Sequence, residues 1–170
     1  MNRVVVSLGS NIDRRKNIRF ALEQLNNRFE DLEISRVFET RSVGFEGPDF
    51  YNLVAGFTSG LEFGVVRTEL KEIERQAGRE VAEKSYGSRV LDIDILLFGE
   101  EVLKPDYNVP RDEIDNFAYV LKPLSDLYPD MVHPVTGQCF AQMWASFDGE
   151  DQCLTVVDYN FVPGSSPGPG

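Results

Sequence analysis

Thiols are almost missing from this sequence: Cys139 and Cys153 are the only two cysteines in 170 residues. Two thiols without metal-ligand spacing supply no disulfide framework and no zinc site, so both read as packing residues. Histidine is scarcer still. His133 is the only one, and Pro134 follows it in a turn-like stretch, so it reads as structural or solvent-facing, and no Ser-His-Asp arrangement is evident. No apolar run approaches the roughly 20 residues of a membrane span, and no signal-like cleavage region follows Met1-Asn2-Arg3. A cytoplasmic protein with no membrane partner is expected. Positive charge is also short: 17 basic against 28 acidic groups give a net charge of −11, which argues against nonspecific binding to nucleic acid. A small phosphate ligand stays open, because a local group of cations and metal can override the global sign. Neither G-x-x-x-x-G-K-[ST] nor a G-x-G-x-x-G after a strand occurs, so the two commonest nucleotide signatures are absent.

The apolar content of 42% suits one compact domain, expected over residues 1–162, acting as a monomer. The Gly/Pro/Ser tail, 163–170, has no apolar anchor and is expected to be disordered. Val4-Val5-Val6-Ser7-Leu8 reads as a first strand ending in the turn Gly9-Ser10-Asn11, with Asn11 or Asp13 capping a helix that carries Ile18, Leu22, Leu25 and Phe29 at helical spacing. The basic cluster at the start of that helix reads as a solvated face. A second strand is expected over 31–40, a loop over 41–49, and a strand over 50–58 with Leu53, Ala55 and Phe57 on one face. Val66, Leu70, Ile73 and Ala77 mark a second helix over 62–77, stopped by Gly78, with Glu74 beside the apolar stripe. Residues 79–88 read as a mobile loop. Further on come a short hairpin at 101–103, a helix near Tyr119 broken at Pro123, a helix over 140–147 and a strand over 154–157. Two helices and four main strands in this order suit an α+β sandwich of ferredoxin-like type, a mostly antiparallel sheet with helices packed on its faces.

The informative stretch is 86–99. A side-chain period of two puts Asp92 and Asp94 on one face of a strand and Leu91, Ile93, Ile95 and Leu97 on the other. The same alternation fits an edge strand whose outer face is merely solvated. Against that reading stands the apolar run from Ile95 to Phe98, which places the two acids at the mouth of a core strand. Paired carboxylates repel unless a cation sits between them, and a hard cation with oxygen ligands, magnesium above all, answers that need. Arg89 adds a planar cation suited to phosphate, and a magnesium-bound nucleotide triphosphate is the natural ligand of such a set. Val43 and Phe45, with Phe50 just after them, make the loop over 41–49 and its exit more apolar than solvent favours, which fits either a fold-back onto the core or the lining of an aromatic ligand's pocket.

Gly87-Ser88-Arg89-Val90-Leu91-Asp92-Ile93-Asp94-Ile95-Leu96-Leu97-Phe98-Gly99 resembles the signature of the 6-hydroxymethyl-7,8-dihydropterin pyrophosphokinase family of folate biosynthesis. Leu8-Gly9-Ser10-Asn11, Pro48-Asp49-Phe50-Tyr51-Asn52, Ile73-Glu74 with Gly78-Arg79, and Pro123-Leu124 extend the likeness over residues 3–130. The resemblance implies transfer of the terminal pyrophosphate of ATP to the pterin hydroxymethyl group, with two magnesium ions on Asp92 and Asp94 and with Arg89 on the phosphates. It further implies that Asn52 hydrogen-bonds the pterin edge, that Thr40 and Val43 add backbone contacts, and that Phe50 and Tyr119 offer aromatic surfaces. Glu74, Arg79, Tyr86, Arg89 and Arg111 would form the nucleotide site, Tyr86 standing where the family has tryptophan. The chain departs from the pattern in carrying Arg111 in place of a histidine, Phe117 in place of an arginine, Asp106 in place of a commonly basic residue, and fewer cations over 79–85. The alternative implied by these departures is a catalytically weak or inactive relative that acts as a pterin-binding or regulatory protein.

Overall fold

A computed structural model describes residues 1–41, 48–78, 90–149 and 151–163. Its elements are β1 (Asn2–Ser10), α1 (Arg14–Arg28), β2 (Glu30–Ile34), β3 (Val37–Thr40), β4 (Phe50–Ser59), α2 (Phe63–Gln76), β5 (Asp92–Phe98), α3 (Glu113–Asn116), α4 (Ala118–Leu127), α5 (Phe140–Ala145) and β6 (Thr155–Val157). The strands pair antiparallel in the order β5-β1-β4-β3-β6, with β2 also on β4. Each of β1-α1-β2 and β4-α2-β5 therefore returns two places away with one strand inserted between, the split β-α-β arrangement of a ferredoxin-like sheet.

Both faces of the sheet are covered. Val4, Val6, Leu8, Leu53, Phe57 and Ile93 pack against Ile18, Leu22 and Leu25 of α1 and Val66, Leu70 and Ile73 of α2. Phe29, just past α1, stacks on Phe57 with ring centroids 4.1 Å apart. On the other face Val5, Val54, Leu96 and Leu97 meet Ile114, Val120, Leu121, Leu124, Phe140 and Met143. Alternation along β1 and β4 gives each face its own apolar set, so neither layer of helices can be lost without exposing a core.

Several local expectations are corrected. Leu97 does not share a face with Ile93 and Ile95: the β1–β5 register passes from Val6↔Ile95 to Val5↔Leu97, so Leu96 is an extra residue and the alternation flips there. The strand over 31–40 is two strands, because Ser35 leaves the extended run; its amide bonds the Val54 carbonyl at 2.8 Å and its hydroxyl takes the Val54 N–H at 2.9 Å. Residues 101–103 form no strand; Leu103 N–H bonds the Val109 carbonyl at 2.8 Å, closing a loop. Pro123 does not break α4, since its ring is buried and Leu121 and Leu124 on either side are anchored in the second core. Asp13 is the N-cap of α1 but makes no side-chain cap, because its left-handed backbone (φ 42°) is not the extended conformation that aims a carboxylate at the first-turn amides. Cys153 is exposed rather than packed, and Cys139 is half-buried at the start of α5; both thiols are free. His133 is buried, and its Nδ1 accepts the Val135 and Thr136 amides, a structural role. The tail expected to be disordered lies, from 164 on, outside the described residues.

Candidate active site

The register places five of the expected site residues on one side of the sheet. Phe50, Asn52 and Val54 alternate onto the face that carries Val5 and α4, and Thr40, Asp92 and Asp94 fall on it through their pairings. Val54 and Leu97 lie beneath α4, whereas Thr40, Phe50, Asp92 and Asp94 are only half-buried, and Tyr119 stands in the first turn of α4 beside them. Asn52 is held rigidly: its amide nitrogen donates to the Thr40 hydroxyl at 2.7 Å. Gly9 is the register partner of Asn52 on one side and of Asp92 on the other. A β-carbon on Gly9 would stand 3.0 Å from the Asn52 amide oxygen and 3.9 Å from the Phe50 ring, so the bare backbone there leaves a floor between an amide and a carboxylate.

Electrostatics concentrate at Asp94. Arg111 is carried on the outer edge of β5 by its backbone amide, which donates to the Leu96 carbonyl at 3.0 Å. Its guanidinium bonds Glu113 at 3.0 Å and stands 3.6 Å from Asp94. Its Nε is buried with no hydrogen-bond partner among the described residues. Loss of water raises the Asp94 pKa above its ordinary value; Arg111 opposes the rise, and Glu113 and Asp92 add to it. Burial likewise pushes the Tyr119 phenol up to about 12, with Glu113 and Asp94 contributing. Phe117 stacks on Tyr119, centroids 5.1 Å apart.

A cleft of about 240 Å³ opens between α2 and the outer edge of β5, lined by Arg67, Lys71, Asp94, Asp106, Tyr107 and Arg111 among others. Asp94 thus belongs both to this cleft and to the Gly9 face. Glu74 does not line the cleft. It is 1% exposed, accepts the Ile93 amide at 3.0 Å and pairs with Lys71 at 3.2 Å, so it braces the edge strand that carries the two aspartates. Val43, Arg79, Tyr86 and Arg89 lie outside the described residues, as do most of the loop over 41–49 and all of the loop over 79–88 expected to be mobile.

Some contributors escaped the sequence reading. Arg67 sits four residues before Lys71 on α2, and its guanidinium lies 5.7 Å from the Tyr107 ring centroid; the spacing was visible, its partner 40 residues away was not. Arg14 is not part of a solvated face. It bonds Glu39 at 2.8 Å and the Asp49 carbonyl at 2.9 Å, and it lies 4.0 Å over the Tyr51 ring, tying together the ends of β3 and β4.

A family model described as 7,8-dihydro-6-hydroxymethylpterin-pyrophosphokinase matches residues 5–129. The chain belongs to this family. It is 37% identical over 139 residues to the 2-amino-4-hydroxy-6-hydroxymethyldihydropteridine pyrophosphokinase of Pseudomonas aeruginosa, a match over 79% of this chain and 85% of that protein. The Aquifex aeolicus protein of the same name is 33% identical over 138 residues, 79% of this chain and 86% of its own length. The folic acid synthesis protein fol1 of Pneumocystis carinii is 33% identical over 165 residues, 94% of this chain but only 21% of that longer protein. Among solved structures, Plasmodium falciparum HPPK-DHPS with pteroate superposes with a TM-score of 0.67 at 13% identity, over 85% of this chain and 42% of that one. At that identity the likeness shows the fold, and it bears out the ferredoxin-like α+β architecture. Among the described residues no helix is long and apolar enough to cross a membrane.

Proposed function

We propose that this chain transfers pyrophosphate from ATP to 6-hydroxymethyl-7,8-dihydropterin in folate biosynthesis. The observation that carries the reading is the convergence of Thr40, Phe50, Asn52 and Tyr119 with Asp92 and Asp94 on one face around Gly9. A flat heterocycle laid on the Gly9 floor meets the Asn52 amide at its polar edge and aromatic surface from Phe50 and Tyr119. Its hydroxymethyl group then extends toward the aspartates.

The hydroxymethyl oxygen bonds to the β-phosphorus of ATP, the bond from that phosphorus to the α-phosphate oxygen breaks, and AMP leaves with the electron pair while the hydroxyl proton passes to solvent. Asp92 and Asp94 fit magnesium as a donor set: two carboxylates with hard oxygens on one strand face, one of them desolvated and its charge only partly offset by Arg111. No group of three or more acidic, histidine or cysteine side chains gathers as a metal site among the described residues, so the remaining ligands would come from phosphate and water. Two magnesium ions bound there supply neutralisation of the charge that develops on the transferred group. Arg111, Arg67 and Lys71 supply cations to the cleft, and Arg89, Arg79 and Tyr86 complete the nucleotide side. Glu74 acts on it indirectly, by fixing β5. The reading is that of a cytoplasmic monomer acting on two small molecules.

The test is turnover: protein with ATP, magnesium and hydroxymethyldihydropterin is expected to release AMP and the pterin diphosphate in equal amounts. No AMP at high enzyme concentration overturns the proposal.

A further inference from the structure

Residues 151–163 lie beyond the family match, which ends at 129, yet they touch both sides of the proposed pterin site. At one end Gln152 meets the corner between α3 and α4. Its Oε1 accepts the Ala118 amide at 2.7 Å, and its Nε2 donates to the Asn116 carbonyl at 3.0 Å. Ala118 opens α4, so its N–H has no acceptor within the helix, and it is only 1% exposed. Gln152 therefore satisfies a buried amide that would otherwise be orphaned. The residue after Ala118 is Tyr119.

Three residues past Gln152 the chain becomes β6 and adds to β3, with Glu39↔Thr155, Phe38↔Val156 and Val37↔Val157. The β3 residue after Glu39 is Thr40, whose hydroxyl holds Asn52. Beyond β6 the Asp158 carbonyl accepts Arg15 at 2.9 Å, and Tyr159 and Phe161 pack on the first core. One short segment is thus fastened to the Tyr119 side and to the Thr40–Asn52 side of the same slot. β6, Tyr159 and Phe161 do what any closing segment does, covering an edge and apolar surface. Gln152 differs, because its amide commits both donor and acceptor to the turn that sets where α4 begins.

We propose that Gln152 is a positioning residue for the pterin: it fixes the start of α4, and with it the Tyr119 ring, at a set distance from the Asn52 side, so that residues 151–157 act as a strap across the slot. This role rests on the pterin reading of the site given above.

The test uses the full chain as wild type, Gln152→Ala and Gln152→Glu, with pterin binding measured by calorimetry in the presence of magnesium and a non-hydrolysable ATP analogue, and KM measured for each substrate. Gln152→Ala is expected to raise the pterin KM about tenfold, the loss of one well-placed cap. The KM for ATP and the turnover at saturation should stay within about twofold, since among the described residues Gln152 bonds only Ala118 and Asn116, neither of which lines the nucleotide cleft. Gln152→Glu keeps the acceptor for Ala118 and is expected to recover most of the pterin affinity. Gln152→Met, which keeps the stem and loses both bonds, replaces the alanine variant if that one does not fold. An unchanged pterin KM in the variant lacking both bonds, equal losses for both substrates, or no recovery by Gln152→Glu each overturns the strap role. A wild type that binds no pterin overturns the proposed function and this role with it, whereas a wild type that binds alongside an indifferent variant overturns the strap alone.

Discussion

Asn52 and Asp92 flank a single residue, Gly9, to which both are paired in register on the same face of the sheet. With strands about 4.8 Å apart, the two side chains start roughly 10 Å from each other across a strip of bare backbone. One supplies hydrogen bonds to a neutral ring edge, the other a carboxylate for a cation. The sheet itself sets the separation between recognition and chemistry.

The first prediction tests that strip. In Gly9→Ala the new methyl meets the Asn52 amide oxygen at 3.0 Å, and Asn52 cannot swing aside without giving up its 2.7 Å bond to Thr40. The pterin KM is expected to rise about tenfold, or about 1.4 kcal/mol, with the ATP KM nearly unchanged. Steady-state kinetics with each substrate varied in turn checks this; a parallel rise in both would mean that the floor serves the whole site.

Removing the charge at Asp94 should separate stability from activity. A carboxyl whose folded pKa is raised holds its proton more tightly folded than unfolded, so its contribution to stability is present below pH 3.8 and lost as pH rises through the raised value. At neutral pH the ionised Asp94 therefore works against the fold, and Arg111 retains Glu113 when Asp94 is neutralised. Asp94→Asn is expected to fold with an equal or higher Tm at pH 7, the difference vanishing near pH 3, while AMP release falls by at least ~100-fold. Magnesium should raise the wild-type Tm in the presence of an ATP analogue and leave that of the variant unmoved. Thermal melts across pH, with and without magnesium, decide it; a variant that loses cooperative unfolding would contradict the argument.

How far these residues could be read from sequence depended on how local their geometry is. Asp92 and Asp94 share a face because of a two-residue period, which any strand imposes, and the helices were legible from Ile18, Leu22 and Leu25 and from Val66, Leu70 and Ile73. The face of Leu97 is not legible from alternation because a bulge is a property of two strands together: Leu96 becomes an extra residue only when β5 is laid against β1. Arg14 reads from sequence as a solvated cation because Glu39 and Asp49 approach it only after β3 and β4 have paired. Gln152, polar and with no motif around it, gave no signal at all; its partners lie more than 30 residues away. The resemblance to a family supplied the pterin, which no periodicity could have named.

Glu74 offers a test of bracing against ligand contact. Its carboxylate accepts the Ile93 amide on the outer edge of β5, between the two aspartates, from a site only 1% exposed. Glu74→Ala leaves that buried amide unsatisfied and is expected to lower stability by about 2–3 kcal/mol. Glu74→Gln keeps an acceptor there and should cost less than half as much, with the ATP KM within about threefold of wild type. Urea denaturation and ATP kinetics on both variants distinguish the roles: a stable Glu74→Gln with a greatly raised ATP KM would make Glu74 a direct nucleotide ligand.

Tyr119 carries the last prediction. With its pKa pushed up to about 12 by burial and by the neighbouring Glu113 and Asp94, the phenol stays neutral throughout the range in which the enzyme would work, so its contribution there is a ring face and not a base. Tyr119→Phe is expected to keep the pterin KM within about twofold, whereas Tyr119→Ala removes the aromatic surface and should raise it about tenfold. A phenol whose folded pKa exceeds its unfolded value of 10 favours folding fully below pH 10, and that contribution disappears as pH climbs to about 12. Stability should therefore fall between pH 10 and 12 more steeply in the wild type than in Tyr119→Phe. The ultraviolet difference titration of the two proteins should show one tyrosine ionising well above the ordinary range. A phenol that titrates near 10, or a Tyr119→Phe variant with a lost activity limb near neutral pH, would make the hydroxyl a participant in proton transfer.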